Sequence, residues 1–100
     1  MPNPIADFPW DWGHLTTTGL IKIGQGALHT IVVNGLTTAG DATVYDGIDA
    51  TGNVIAVLHL DPTTSISVQP ITLIYDLEVQ TGIYIAYDQS LVADLTVTFK

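Results

Sequence analysis

The segment Ile71–Val79 reads Ile-Thr-Leu-Ile-Tyr-Asp-Leu-Glu-Val, and the character of its side chains alternates along the chain. Successive side chains of a β-strand point to opposite faces of the sheet, so this period-two pattern predicts a strand with one buried and one solvated face. The segment Val92–Phe99 shows the same alternation. The buried faces are predicted to carry Ile71, Leu73, Tyr75, Leu77 and Val79 in the first segment, and Ala93, Leu95, Val97 and Phe99 in the second.

Glycine, proline and Asx clusters divide the rest of the chain into short runs rich in Thr, Ile and Val, which favour pleated sheets. We therefore predict an all-β fold, a single eight-stranded antiparallel sandwich of jelly-roll-like type, over residues 16–100. Pro70 makes the strand before it an edge strand, and residues 35–40 are predicted to form a loop. The predicted strands are Thr18–Ile23, Ala27–Asn34, Asp41–Ile48, Val54–Leu60, Ser65–Gln69, Ile71–Val79, Ile83–Tyr87 and Val92–Phe99.

Residues 1–15 differ from the rest, because they contain three of the five prolines and both tryptophans. Three prolines exclude a continuous helix or a central strand, so we predict an extended N-terminal arm outside the sandwich. Tryptophan buries a large area with few rotatable bonds and is enriched at interaction hot spots. The arm is expected to pack on its own sandwich or on a neighbouring protein. Its candidate protein-interaction residues are Phe8, Pro9, Trp10, Trp12 and His14.

Two of the predicted strands are apolar on both faces. In Val54–Leu60, one face carries Val54, Ala56, Leu58 and Leu60, and the other carries Ile55 and Val57. Ala27–Asn34 is similar. Only one face of each sheet meets the core of a two-layer sandwich. We therefore expect the second face to be covered by the arm, a loop or, as we favour, another subunit, unless β-branched side chains simply lie exposed there.

The charge balance excludes several classes of partner. The chain has 2 Lys or Arg residues against 10 Asp or Glu residues, for a net charge of −8. Nucleic-acid and anionic-membrane binding both draw on basic side chains, so we expect neither partner. There is no cysteine for a disulfide, and no apolar run of membrane-spanning length. The N-terminus lacks the pattern of a secretory signal, and we expect assembly inside a cell.

No set of side chains in the sequence points to catalysis. His29 and His59 lie in different predicted strands and would bind zinc only if they were adjacent, whereas hydrogen-bonded sheet histidines are far commoner. No nucleophile elbow and no phosphate loop occurs. We therefore predict no cofactor and no enzymatic activity. A histidine beside a carboxylate in a cleft would favour an enzyme instead.

The loop Asp46–Asn53 resembles a calcium site in composition only. It lacks the carboxylate spacing and the closing glutamate of the EF-hand loop. Asp49 and Asn53 are expected to hold turn geometry through hydrogen bonds from side chain to backbone. We therefore predict no metal site in this loop.

The segment Gly19–Asn34, which reads GLIKIGQGALHTIVVN, resembles a group of small structural proteins of tailed phages. The resemblance covers roughly residues 18–100, and its further pieces are Thr43–Asp46, Thr51–Ile55, Thr81–Tyr84 and Ala93–Lys100. It implies a virion component similar to the capsid decoration, or cement, proteins. These are often trimeric and sit over joints between major capsid subunits.

The resemblance and the residue pattern lead to one expected function and one alternative. We expect a homotrimeric decoration protein in the virion capsid, assembled in the host cytoplasm, that stabilises neighbouring major capsid protein subunits. This role does not require one strong contact, because a symmetric oligomer gains affinity from several weak contacts. An apolar, acidic β-domain is compatible with such a role. The alternative is a receptor- or carbohydrate-binding module of a phage fibre, spike or other structural part of the virion, which exposed aromatics near Asp and Asn would favour.

Overall fold

The computed structural model describes residues 10–63 and 70–100. These residues form eight β-strands and no helix. The strands are β1 (Asp11–Leu15), β2 (Gly19–Ile23), β3 (Gly26–Thr38), β4 (Gly40–Asp46), β5 (Asn53–Leu60), β6 (Ile71–Val79), β7 (Gly82–Tyr87) and β8 (Val92–Phe99).

The strands pair in a nested order. β1 pairs with β8, β2 with β7, β3 with β6 and β4 with β5, all antiparallel, so the chain is a long hairpin folded over on itself. Further pairing of β3 with β8 and of β4 with β7 completes two four-stranded sheets. Sheet I has the order β1-β8-β3-β6, and sheet II has the order β2-β7-β4-β5. This is the arrangement of a jelly roll, which confirms the predicted fold class.

The core lies between the two sheets. Each fully buried aliphatic side chain contributes about 1.5–3 kcal/mol to folding. Sheet I supplies Leu28, Ile31, Val33, Val79, Leu95 and Val97, and sheet II supplies Val44, Leu58, Leu60, Ile83 and Ile85. Tyr87 links the sheets, because its hydroxyl donates to the carbonyl of Ala93 at 3.0 Å and lies 3.3 Å from that of Leu15. Burial, together with the negative charge of Asp94, raises the pKa of Tyr87 to about 12.

β6 and β8 have the predicted bounds. In β6 the predicted inward residues are partly or fully buried, and Thr72, Ile74, Asp76 and Glu78 are exposed. The predicted strand Ser65–Gln69 lies outside the described residues. The eight strands of the described residues include β1, which is not among the strands predicted from the sequence, and do not include Ser65–Gln69.

The predicted arm is wrong for Asp11–Leu15. This segment is strand β1, paired with β8 from Asp11 opposite Phe99 to Leu15 opposite Leu95. The physical reason is that all three N-terminal prolines precede residue 10, so every backbone N–H in β1 is free to pair. Among the described residues, the sandwich therefore includes Asp11–Leu15 and does not start at residue 16.

The predicted loop at residues 35–40 is also wrong, because β3 continues to Thr38 and β4 begins at Gly40. Against β8, the register of β3 shifts between Val33 and Gly35 and again between Leu36 and Thr38. Such β-bulges allow pairing to continue past residues that would break the alternation. Leu36 is buried as a result.

A bulge also changes the predicted faces of β5. The register with β4 passes from Tyr45–Val54 to Val44–Ala56, so Ile55 has no partner in the ladder. One extra residue inverts the alternation on one side of a bulge. Val54 is therefore exposed on the outer face, whereas Leu58 and Leu60 are buried.

Candidate functional site

The outer face of sheet I presents a row of side chains across all four strands. Trp12 on β1 lies opposite Thr98, Thr98 opposite Thr30, and Thr30 opposite Ile74 on β6. Trp12 is 53% exposed and Ile74 is 68% exposed. The hydroxyl oxygens of Thr30 and Thr98 are 2.6 Å apart, and the backbone N–H of Thr30 donates to Thr98 Oγ1 at 3.1 Å. The row thus has an apolar anchor at each edge and paired hydroxyls in the middle.

A polar network lies beside this row. Asp94 Oδ1 is 2.7 Å from His14 Nε2 and accepts a hydrogen bond from Asn34 Nδ2 at 2.9 Å. Asn34 Nδ2 also donates to Thr96 Oγ1 at 2.8 Å. The bond from Asn34, and then that from His14, holds the pKa of Asp94 below its usual value. The network joins β1, β8 and β3 around an ionised carboxylate.

A shallow depression of about 160 Å³ borders the same carboxylate. It is lined by Thr16, Gly35, Thr37, Val92, Ala93 and Asp94.

Trp10 lies just before β1 and covers the polar contact between His29 and Asp76. Its ring stacks on the imidazole of His29, with centroids 4.0 Å apart and planes 7° from parallel. His29 Nδ1 in turn contacts Asp76 Oδ1. Asp76 has a φ of 50°, a left-handed conformation that Asp tolerates better than most residues, where the register of β3 and β6 shifts. Trp10 therefore packs on its own sandwich.

The structure brings together three of the five predicted interaction residues. Trp10, Trp12 and His14 share the outer face of sheet I, whereas Phe8 and Pro9 lie outside the described residues. The alternation of Trp12 and His14 with Gly13 and Leu15 was the available signal that this segment is a strand.

The outer face of sheet II is apolar. One row runs from Leu20 on β2 through Tyr84 and Tyr45 to Val54 on β5. The two tyrosine rings are 6.1 Å apart. The next row contains Ala86, Thr43 and Val57, and Ile23 stands at the corner opposite Gly82. Leu20, Ile23, Val54 and Val57 are all exposed.

Carboxylates mark both ends of the outer face of sheet II. At one end His59 Nδ1 is 3.0 Å from Asp41 Oδ1. At the other end Asp46 accepts the backbone N–H groups of Gln80 and Thr81, each at 2.9 Å. The bond from Gln80 is the main cause that lowers the pKa of Asp46 below 3.8. Asp46 therefore serves the turn between β6 and β7.

The loop at residues 46–53 serves turn geometry. Asp49 Oδ1 accepts the backbone N–H of Thr51 at 2.8 Å and its hydroxyl at 2.5 Å, which confirms the predicted role of Asp49. Asp46 uses its carboxylate on the neighbouring backbone. Within residues 10–63 and 70–100, no group of three or more His, Cys, Asp or Glu side chains could hold a metal ion.

The histidines do not meet one another. His29 lies in sheet I and His59 in sheet II, and each is paired with its own aspartate, so the hydrogen-bonded interpretation is confirmed. The His59 side chain is 77% exposed on an open sheet face, and the His29 ring lies under Trp10. Each of these two histidines thus lies beside a carboxylate, but on the face of a sheet and not in a cleft.

Comparison with models of protein families, with curated proteins and with solved structures finds no match to this chain. In the part of the chain that the structure describes, no helix has the length and apolar character needed to cross a bilayer. The two outer faces of the sandwich are therefore the features from which a function is inferred.

Proposed function

We propose that this protein is a phage capsid decoration protein, which binds neighbouring major capsid subunits and stabilises the shell as a homotrimer. The observation that carries the proposal is Trp12, more than half exposed on the edge strand β1. The resemblance of residues 18–100 to small phage structural proteins supports it.

The row that contains Trp12 has the geometry of a clamp. Trp12 and Ile74 lie on opposite edges of sheet I, three strand spacings or roughly 14 Å apart. Two apolar anchors at that distance can contact two neighbouring subunits across a joint. Tryptophan is the side chain most enriched among interface hot spots. Three copies on one symmetric oligomer would turn weak single contacts into tight binding.

The test is co-sedimentation of the purified protein with phage heads prepared without it. We expect wild-type protein to bind and W12A to lose at least about tenfold in affinity, because a hot-spot truncation costs about 2 kcal/mol or more. The control I48A removes another exposed apolar side chain, in the loop after β4, and should bind normally. Failure of the wild type to bind, or unchanged binding by W12A, would refute the proposal.

A second candidate is a carbohydrate-binding module of a fibre or spike. The sequence placed both tryptophans in an arm, but the structure places Trp12 on the same face as Asp94 and Asn34. An aromatic ring can stack on a sugar, and a carboxylate and an amide can bond its hydroxyls. A glycan array with the isolated protein tests this candidate. Hits that W12A abolishes would support it, and an array without hits would count against it.

A further inference from the structure

We infer that the outer face of sheet II is the surface through which copies of this chain contact one another. The inference deepens the proposed function and rests on its homo-oligomeric part. Capsid binding is assigned to Trp12 on the outer face of sheet I, so the two surfaces are on opposite sides of the sandwich.

The first observation is the continuity of exposed apolar side chains across the outer face of sheet II. The described residues include eight large apolar side chains that are exposed, and four of them lie on the outer face of sheet II. These four are Leu20, Ile23, Val54 and Val57. Tyr45 and Tyr84 fill the space between Leu20 and Val54, so the apolar surface is continuous across all four strands. Contiguous patches of this kind usually mark an interaction site.

The second observation is the arrangement of charge, which favours a second copy of this chain as the occupant. Each copy has a net charge of −8 and contains just two basic residues, Lys22 and Lys100. A second copy therefore cannot neutralise carboxylates, and a contact between copies has to exclude them. The outer face of sheet II meets this condition, because no charged side chain stands in its two rows of described residues.

Lys22 and the nearby carboxylates lie outside the two apolar rows, and Asp41 stands in the row next to Thr43 and Val57. The Lys22 side chain reaches toward Gly26, where an added Cβ would lie 2.3 Å from Lys22 Cε. Asp41 is at one end of the face, paired with His59, and Asp46 is bonded to backbone at the other. The outer face of sheet I, by contrast, carries Asp94 and Asp76. A basic partner would fit sheet I better, and a like-charged copy fits sheet II.

The dimensions of the face suit the centre of such an interface. Three strand spacings give the apolar row a width of roughly 14 Å, and the Asp41–His59 pair borders the apolar surface at one end. A stable interface buries about 800 Å² per partner, with an apolar centre inside a polar rim. The Asp41–His59 pair at the edge of the face fits the position of such a rim.

The experiment is the mass of the full chain in solution, measured by light scattering after size exclusion. We expect the wild type to have the mass of two or three chains and V54D to have the mass of one. The substitution places a carboxylate at the β5 end of the apolar row, within a contact between acidic chains. The milder V54T, which keeps a β-branched side chain, should raise the dissociation constant by about tenfold.

The matched control is I74D, on the outer face of sheet I. Ile74 is also an outward, exposed residue of an edge strand, at 68% exposure against 57% for Val54. I74D should keep the oligomer, and circular dichroism should show a folded sandwich in every variant. A monomeric wild type, an oligomeric V54D, or dissociation by I74D with V54D intact would each overturn the inference.

The interface on sheet II and the decoration role can be refuted independently of each other. If V54D dissociates the oligomer but wild-type protein does not bind phage heads, the interface stands and the decoration role falls. If the wild type is monomeric but binds heads through Trp12, the decoration role stands and the interface falls.

Discussion

At the scale of single residues, Asp46 is, like Asp88, a carboxylate that accepts three backbone N–H groups. Its carboxylate accepts N–H groups from Gln80, Thr81 and Gly82, and so fixes the turn between β6 and β7. We expect D46A to lower the free energy of unfolding by about 1 kcal/mol, the lower part of the range for bonds to a charged group, because solvent screens this carboxylate. Urea denaturation measures it. D11A removes an exposed carboxylate of β1 and should have little effect.

The pH dependence of this contribution has a definite sign. Because the folded pKa of Asp46 is lowered, its contribution is fully present above the unfolded pKa near 3.8 and is lost as the pH falls through the folded pKa. The difference in stability between wild type and D46A should therefore be constant at neutral pH and shrink below pH of about 4. A difference that grows in acid would contradict the assigned role.

At the scale of elements, β1 is part of the sandwich and not an appendage. Leu15 packs against the core, its carbonyl lies near the Tyr87 hydroxyl, and five residue pairs join β1 to β8. We expect removal of residues 1–15 to lower the free energy of unfolding by about 3 kcal/mol, since it exposes the edge of β8 and opens the core at Leu15. Thermal unfolding followed by circular dichroism measures this loss.

The control truncation removes residues 1–9 and leaves every described strand complete. It should unfold at nearly the wild-type temperature. Equal destabilisation by the two truncations would show that β1 adds nothing to the sandwich.

The elements that the sequence predicted well are those whose side chains alternate between more buried and more exposed along their whole length, and β6 keeps this alternation despite its register shift at Asp76. β6 and β8 keep strict alternation, so both their bounds and their buried residues could be predicted. β5 could not be predicted in the same way, because the bulge at Ile55 leaves no mark in a run that is apolar from Val54 to Leu58. The exposed face of sheet II was therefore visible from sequence only as an excess of apolar residues, and not as a set of named positions.

The predicted arm failed for a related reason. Prolines restrict the backbone only near their own positions, which here lie in residues 1–9, whereas the pattern from Trp12 to Leu15 alternates as a strand does. The polar network of His14, Asp94 and Asn34 depends on partners about 60 to 80 positions apart. No local pattern marks such pairs, because their contact follows from the nested order of the strands.

At the scale of the whole molecule, net charge and apolar surface act in opposite directions on self-association. Two chains of charge −8 repel each other over the Debye length, roughly 10 Å at 0.1 M salt and 3 Å at 1 M. The outer face of sheet II contributes attraction that salt does not screen, since its rows carry no charge. We therefore expect the oligomer to tighten as NaCl rises from 20 mM to 500 mM, with a dissociation constant at least about threefold lower, measured by sedimentation velocity.

The direction of the salt effect distinguishes this contact from one built on ion pairs. An interface of opposite charges weakens in salt, because the same screening removes its attraction. D11K, which makes the net charge less negative at an exposed position of β1, should tighten the oligomer at 20 mM NaCl and respond less to added salt than the wild type. An oligomer that dissociates as salt rises would place the contact on the carboxylates and histidines of sheet I, and the outer face of sheet II would then need a different partner.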